Sequence, residues 1–139
     1  MSEGRVVLGF FGTRYFDGDG FYNLIAEEVA KHKPEYIVTS GETEGISMLA
    51  RRYARKEAIP LKLHFLNRTY GRGQFNQRSR GIAEEATHLI IIHDGKSTGT
   101  ANELALVKKL KKPYTYHLIQ QEGNTAKPLT VDGGIANEK

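Results

Sequence analysis

Short apolar runs alternate along this chain with longer stretches in which apolar residues return every three or four positions. Residues 6 to 11, VVLGFF, make a compact run of β-formers followed by Gly12, which predicts a buried strand. Phe21, Leu24, Ile25 and Val29 then fall at helical spacing, so a helix is expected from Phe21 to His32, closed by Pro34. Tyr36-Ile37-Val38-Thr39 predicts a second strand. The turn SGETEG leads into a helix with Ile46, Leu49, Ala50 and Tyr53 on one face. Pro60 precedes a third strand, Leu61 to Leu66, and a polar loop, NRTYGRG, follows it. From Gln74 to Ala86 the pattern is helical, with Phe75, Ser79, Ile82 and Ala86 inward. His88 to Ile92 predicts the fourth strand, Thr100 to Lys111 a helix, and Tyr114 to Ile119 a fifth strand after Pro113. Residues 120–139 have no sustained period and several turn formers, so they are expected to be a C-terminal tail or peripheral arm.

Strands alternating with helices of this length argue for βαβ units, and βαβ units build parallel sheets. The expected fold is therefore α/β: a compact doubly wound, Rossmann-like parallel sheet of about five strands with helices on both faces, in one domain over residues 1–119. Ligands of such sheets bind in the crevice beyond the carboxyl ends of the strands. Functional groups are thus expected from Gly12 to Arg14, Ser40 to Gly45, Tyr70 to Arg80 and Asp94 to Glu103.

Composition narrows the function classes. The chain has 139 residues, 39% of them hydrophobic and 26% charged, and it shows no apolar run of membrane-spanning length and no signal-peptide pattern. A cytoplasmic location and no membrane partner are the expectations. Without cysteine, disulfides and thiolate zinc sites are excluded. The net charge of +4 would allow phosphate contact, but the basic residues are spread over several helices, and a solvated helix face explains them more simply than a nucleic-acid patch. The histidines at 32, 64, 88, 93 and 117 lack close metal-ligand spacing, so neither metal nor cofactor is expected. His93 alone falls near the crevice, where it reads as a ligand contact or, more simply, a pleat-filling residue.

The most informative stretch is Leu89 to Glu103, LIIIHDGKSTGTANE. A strand runs through the small-residue turn Asp94-Gly95-Lys96-Ser97-Thr98-Gly99 into a helix opening at Thr100, which brings free N–H groups and a positive helix end to one spot suited to an anion. Glu103 shares a face with Val107 and Leu110, so a carboxylate sits in the stripe facing the sheet. It reads either as a group that orients a ribose hydroxyl or acts as general acid or base, or as the glutamate of a capping box Thr100-Ala101-Asn102-Glu103. Arg78 and Arg80 read as phosphate ligands or as paired surface arginines. In SGETEG, Gly41 and Gly45 would let backbone approach a ligand and Ser40 could bond it, while Glu42 and Glu44 oppose phosphate unless they face solvent or a ribose. Gly12, Thr13 and Arg14 make a similar small turn with a cation. GxGxxG, GxxxxGK[ST] and GxSxG are all absent, so a standard NAD site, a Walker ATPase and a serine-hydrolase elbow are not supported.

Taken in order, GTRYF, SGETEG with ISMLARRYARKEAIPLKLH, YGRGQFNQRSRGIAE and DGKSTGTANE resemble the SLOG superfamily, the DprA and LOG-like Rossmannoid group, and most closely its YspA-like branch, over about Val7 to Ile119. The GTxxE element is similar to that of LOG-type phosphoribohydrolases, in which an arginine and a glutamate serve in cleaving the N-glycosidic bond of a nucleoside monophosphate. Carried over, the resemblance implies roles for Arg78 and Glu103. The chain departs from the pattern at Glu42, where branch members usually show a second glycine, near Glu44, where they usually show a basic residue, and at Ser47, where they usually show aspartate. Lys96 and Ser97 replace the glycine-rich approach of the LOG turn, so the site keeps its place but changes its polarity.

Three functions follow as expectations. The first is a sensor or sequestering module for a nucleotide or nucleotide-derived signalling ligand, with the Gly99 and Thr100 N–H groups on phosphate, Arg78 as counter-charge and Glu103 on ribose. The second is a phosphoribohydrolase or N-glycosidase. The third is DprA-like binding of single-stranded DNA. The resemblance also implies a homodimer or larger homo-oligomer.

Overall fold

The computed structural model describes residues 5–16, 18–122 and 125–135, with side chains placed as far as Ile119. Its strands are β1 (Val7–Gly12), β2 (Tyr36–Ser40), β3 (Leu61–His64), β4 (His88–His93), β5 (Pro113–Glu122) and β6 (Thr125–Ile135), and its helices are α1 (Asp19–His32), α2 (Gly45–Lys56), α3 (Gln74–Glu85) and α4 (Thr98–Lys109). The sheet order is β3-β2-β1-β4-β5-β6. The first five strands pair in parallel and β6 pairs antiparallel to β5.

The strand residues alternate between two cores, as a sheet covered on both faces requires. Leu8, Phe10, Ile37, Ile90 and Ile92 pack with Phe21, Ile25, Ile46 and Leu49 of α1 and α2. Val7, Phe11, Val38, Leu89 and Ile91 pack with Ile82, Ala83, Leu106 and Val107 of α3 and α4. Burying each such side chain is worth about 1.5–3 kcal/mol, so both faces are held firmly and the doubly wound expectation is met. The order of strands reverses between β1 and β4, and the turns that leave those two strands open side by side. This is where such folds place a crevice.

Three elements differ from expectation. β3 ends at His64, because its ladder with β2 stops at Ser40 and Gly41 N–H takes the His64 carbonyl at 3.1 Å, leaving Phe65 and Leu66 outside the sheet and exposed. The polar loop after it winds into a 3₁₀ turn over Arg68–Gly73. The expected tail or arm over residues 120–139 lies partly outside the described residues; within it, Thr125–Ile135 runs as an edge strand beside β5, with Pro128 opposite Ile119 where the register shifts. Proline is tolerated at an edge strand or bulge.

Candidate functional site

Four turns and two helices enclose a cleft of about 550 Å³ at the carboxyl edge of the sheet. Gly12, Arg14 and Tyr15 come from the turn after β1, Glu42 from the turn after β2, and Ser97, Gly99, Thr100, Asn102, Glu103 and Leu106 from the turn after β4 and α4. The opposite wall is Arg72, Phe75, Asn76, Arg78 and Ser79, from the 3₁₀ turn and the first half of α3. Distant stretches of sequence therefore converge on one volume large enough for a small organic ligand.

Arg78 is the buried cation of this cleft. Its side chain is only 8% exposed, its Nη2 donates to Glu42 Oε2 at 3.3 Å, and its guanidinium lies 5.8 Å from the centre of the Phe75 ring. Its Nε is buried without a hydrogen-bond partner. A guanidinium has five donors in a fixed fork, and an unsatisfied buried donor is costly, so the group is set up to take another acceptor. The alternative reading of Arg78 as a surface residue does not hold. Arg80 is the surface residue: it pairs along α3 with Glu84 at 3.0 Å and takes no part in the cleft, because two residues on a helix point nearly opposite ways.

Glu103 sits across from Arg78. The expected capping box fails, since α4 begins at Thr98 with Ser97 as its cap, which puts Glu103 beyond the first turn. Its Oε2 instead accepts from Ser79 Oγ on α3 at 3.2 Å. Burial pushes its carboxyl up to about 8; Ser79 and the Arg78 charge pull the other way, and the Glu42 charge adds to the rise. A carboxyl that is protonated at neutral pH can donate a hydrogen bond or a proton. The stability consequence has a definite sign. Between the ordinary value of 4.5 and about 8 the unfolded chain gives up this proton while the folded one keeps it, so stability falls as pH rises through that window. Glu103→Gln is expected to match the wild type below the lower value and to exceed it by up to about 4–5 kcal/mol above the upper one, in denaturant titrations at the two ends.

The start of α4 is fixed by the turn before it. Asp94 Oδ1 accepts from the Lys96 and Ser97 N–H groups at 2.8 Å each, and burial alone would raise this carboxyl, but those N–H bonds outweigh it and hold it below its usual range. Gly95 has φ +84, a conformation that favours glycine. His93 bonds the Tyr116 hydroxyl at 2.8 Å and the Ser97 carbonyl at 2.9 Å, so it fastens this turn and fills the pleat. Gly99 and Thr100, in the first turn of α4, line the cleft. The first N–H groups of a helix have no carbonyl of their own helix to bond.

The remaining expected residues divide into lining and scaffold. Gly12 and Arg14 line the cleft, whereas Thr13, Ser40, Gly41, Gly45, Asp94 and Gly95 stand behind it. Thr13 stitches the turns after β1 and β4 together, its Oγ1 meeting Asp94 N–H at 3.2 Å and Ser97 Oγ at 3.4 Å. Ser40 bonds Ser47 at 2.9 Å, fixing α2 under its turn. The close approaches at Gly41 and Gly45 are to the chain itself: a Cβ at Gly41 would meet the Phe65 ring at 2.1 Å, and one at Gly45 would meet the Arg14 backbone at 2.4 Å. Both glycines thus serve packing, where a ligand approach was expected. Arg72, Asn76 and Asn102 fall within the expected stretches without being singled out there, and the lining residues that sequence reasoning missed are Tyr15 and Leu106. It read Phe75 as inward, yet Phe75 is 52% exposed on the cleft rim, because the first turn of α3 overhangs the sheet edge.

Comparison with known proteins adds the fold alone. No family model matches the chain, and no curated protein matches it in sequence. A solved structure of a molybdenum cofactor binding protein from the phototrophic bacterium Rippkaea orientalis is similar with a TM-score of 0.57 at 17% identity, over 81% of this chain and 76% of that one. The fold is Rossmann-like. The tRNA methyltransferase TrmK from B. subtilis aligns with a TM-score of 0.47 at 14% identity, over 95% of this chain and 62% of that one. Among the described residues no group of three His, Asp or Glu side chains is arranged to hold a metal, and no helix is long and apolar enough to cross a membrane.

Proposed function

We propose that the cleft binds a nucleotide or nucleotide-derived signalling ligand and that the chain is a sensor or sequestering module of the SLOG type. The observation that carries this reading is Arg78: a guanidinium buried in the cleft wall with its Nε unpartnered, facing the same volume as the first turn of α4. A phosphate there would take the Gly99 and Thr100 N–H groups and the Arg78 fork, the pairing that helix ends and arginines both favour. Glu103, protonated at neutral pH, would donate to a ribose oxygen. The exposed rings of Tyr15 and Phe75 offer a planar base apolar surface at the rim.

Calorimetric titration with nucleoside monophosphates, cyclic nucleotides and ADP-ribose-type nucleotides tests the reading; binding by one class is expected, and silence from all would remove it. Gly99→Ala sharpens the test. A Cβ there meets no atom within 4 Å, so the folded chain has no steric need for glycine at this helical position. The variant is expected to be as stable as the wild type or up to about 1 kcal/mol more so, and to bind phosphorylated ligands about tenfold more weakly.

A second reading is favoured by the raised Glu103 carboxyl. A proton held to about pH 8 suits a general acid that delivers it to a departing base, as a phosphoribohydrolase acting on a nucleoside monophosphate would require. Release of free base by the wild type, lost in Glu103→Gln, would establish turnover. Equal rates in the two proteins would exclude that mechanism.

A further inference from the structure

The cleft contains an anion of its own. Glu42 Oε2 lies 3.3 Å from Arg78 Nη2 and 3.7 Å from Arg14 Nε, so one carboxylate oxygen sits between the two cations. Both contacts are long for charge-assisted bonds, which normally close to about 2.7–2.9 Å. The other oxygen, Oε1, has Ser40 Oγ at 3.4 Å. Arg78 Nε stays unpartnered while Nη2 is occupied, so Glu42 engages the guanidinium through one nitrogen and leaves part of its fork unused. The backbone that carries Glu42 is held separately from its carboxylate, through the Glu42 N–H to Ser40 Oγ at 3.3 Å and the Ser40 to Ser47 bond at 2.9 Å. Arg14 is 63% exposed and Glu42 20% exposed, so the carboxylate has a way out to solvent that leaves its backbone in place.

We propose that Glu42 is a resident counter-anion that an incoming phosphate displaces from Arg78 and Arg14, and that it thereby sets which anions the cleft accepts. A phosphate offers three oxygens and can bond Nη2 and Nε together, which the single oxygen of Glu42 does not. Displacement places a second negative group near the incoming one, so a bare phosphate gains little. A ligand that brings a sugar and base gains the contacts that offset the displacement. Glu42 therefore acts as a filter against small inorganic anions in favour of larger phosphate esters. This inference rests on the cleft being a phosphate site and is independent of which nucleoside, if any, the phosphate carries.

The test uses the full chain and inorganic phosphate as probe, read by thermal unfolding against sodium chloride of equal ionic strength. Glu42→Gln is expected to melt below the wild type in chloride, since Arg78 is left buried beside a neutral amide. At about 20 mM phosphate its melting temperature is expected to rise by about 5 °C, against about 1 °C for the wild type. Equal rises in the two proteins would overturn the proposal, and so would a variant that stays unfolded even in phosphate, because the carboxylate would then be a structural partner that no anion replaces. A silent nucleotide panel combined with phosphate rescue of Glu42→Gln would remove the nucleotide reading and leave the counter-anion role standing. Nucleotide binding by the wild type without selective rescue would do the reverse.

Discussion

Replacing Arg78 with methionine is expected to weaken binding of any phosphorylated ligand by about 100-fold while lowering the melting temperature by only a few degrees. The binding loss follows from removing a charge-assisted, two-pronged contact, and hydrogen bonds to charged groups are worth about 1.5–3 kcal/mol each. The modest stability loss follows from the environment. Methionine keeps the apolar stem against Phe75, and Glu42 retains Arg14 at 3.7 Å with 20% of its side chain exposed to water. Removing one partner of a buried ion pair is costly when the other charge is left buried and unpaired, and Glu42, partly exposed and still beside Arg14, is not left so. Calorimetric titration and thermal unfolding of the same preparation separate the two effects. A loss of stability as large as the loss of binding energy would mean that Arg78 is there to hold α3, and that its place in the cleft is incidental.

Gly45→Ala is expected to act the other way round, through the scaffold. Gly45 opens α2 at φ +78, and an added Cβ would lie 2.4–2.6 Å from the backbone atoms of Arg14. A left-handed conformation costs alanine about 1 kcal/mol, and forcing apart two backbone segments adds about 1–3 kcal/mol, so a destabilisation of about 2–4 kcal/mol is expected in denaturant melts. Because the atoms that must yield belong to the turn carrying Arg14, ligand binding is expected to fall with it. A variant of unchanged stability would show that this turn has slack, and would weaken the case that Arg14 and Glu42 are held in a fixed relation.

Much of the frame is legible because its signals are local. The apolar runs that became β1, β2, β4 and β5 announce themselves by composition, and the helices between them by spacing. Even the two-sided covering follows, since runs such as VVLGFF and HLIIIH feed both cores alternately. What failed depends on partners distant in sequence. The capping-box alternative for Glu103 is a sound local reading, but α4 starts earlier, at Thr98, and the Glu103 carboxyl meets Ser79 on α3, far back in the chain. Phe65 and Leu66 continue a strand-like run past the point where the β2 ladder ends. Phe75 and Arg78 have the same helical spacing from the core positions, yet one reaches the rim and the other is buried, a difference set by how far α3 overhangs the sheet. The glycines of SGETEG read from sequence as places for a ligand to approach, while their close contacts, with the Phe65 ring and with the Arg14 backbone, are visible only in three dimensions.

The cleft as an anion site is most directly tested by following backbone amide resonances while a nucleoside monophosphate is titrated into the ¹⁵N-labelled protein. The Gly99 and Thr100 amides, together with the Arg78 side-chain Nε–H, are expected to move first and furthest, with saturation. Saturable shifts confined to residues outside the cleft, or no shifts at millimolar ligand, would contradict the assignment of this site.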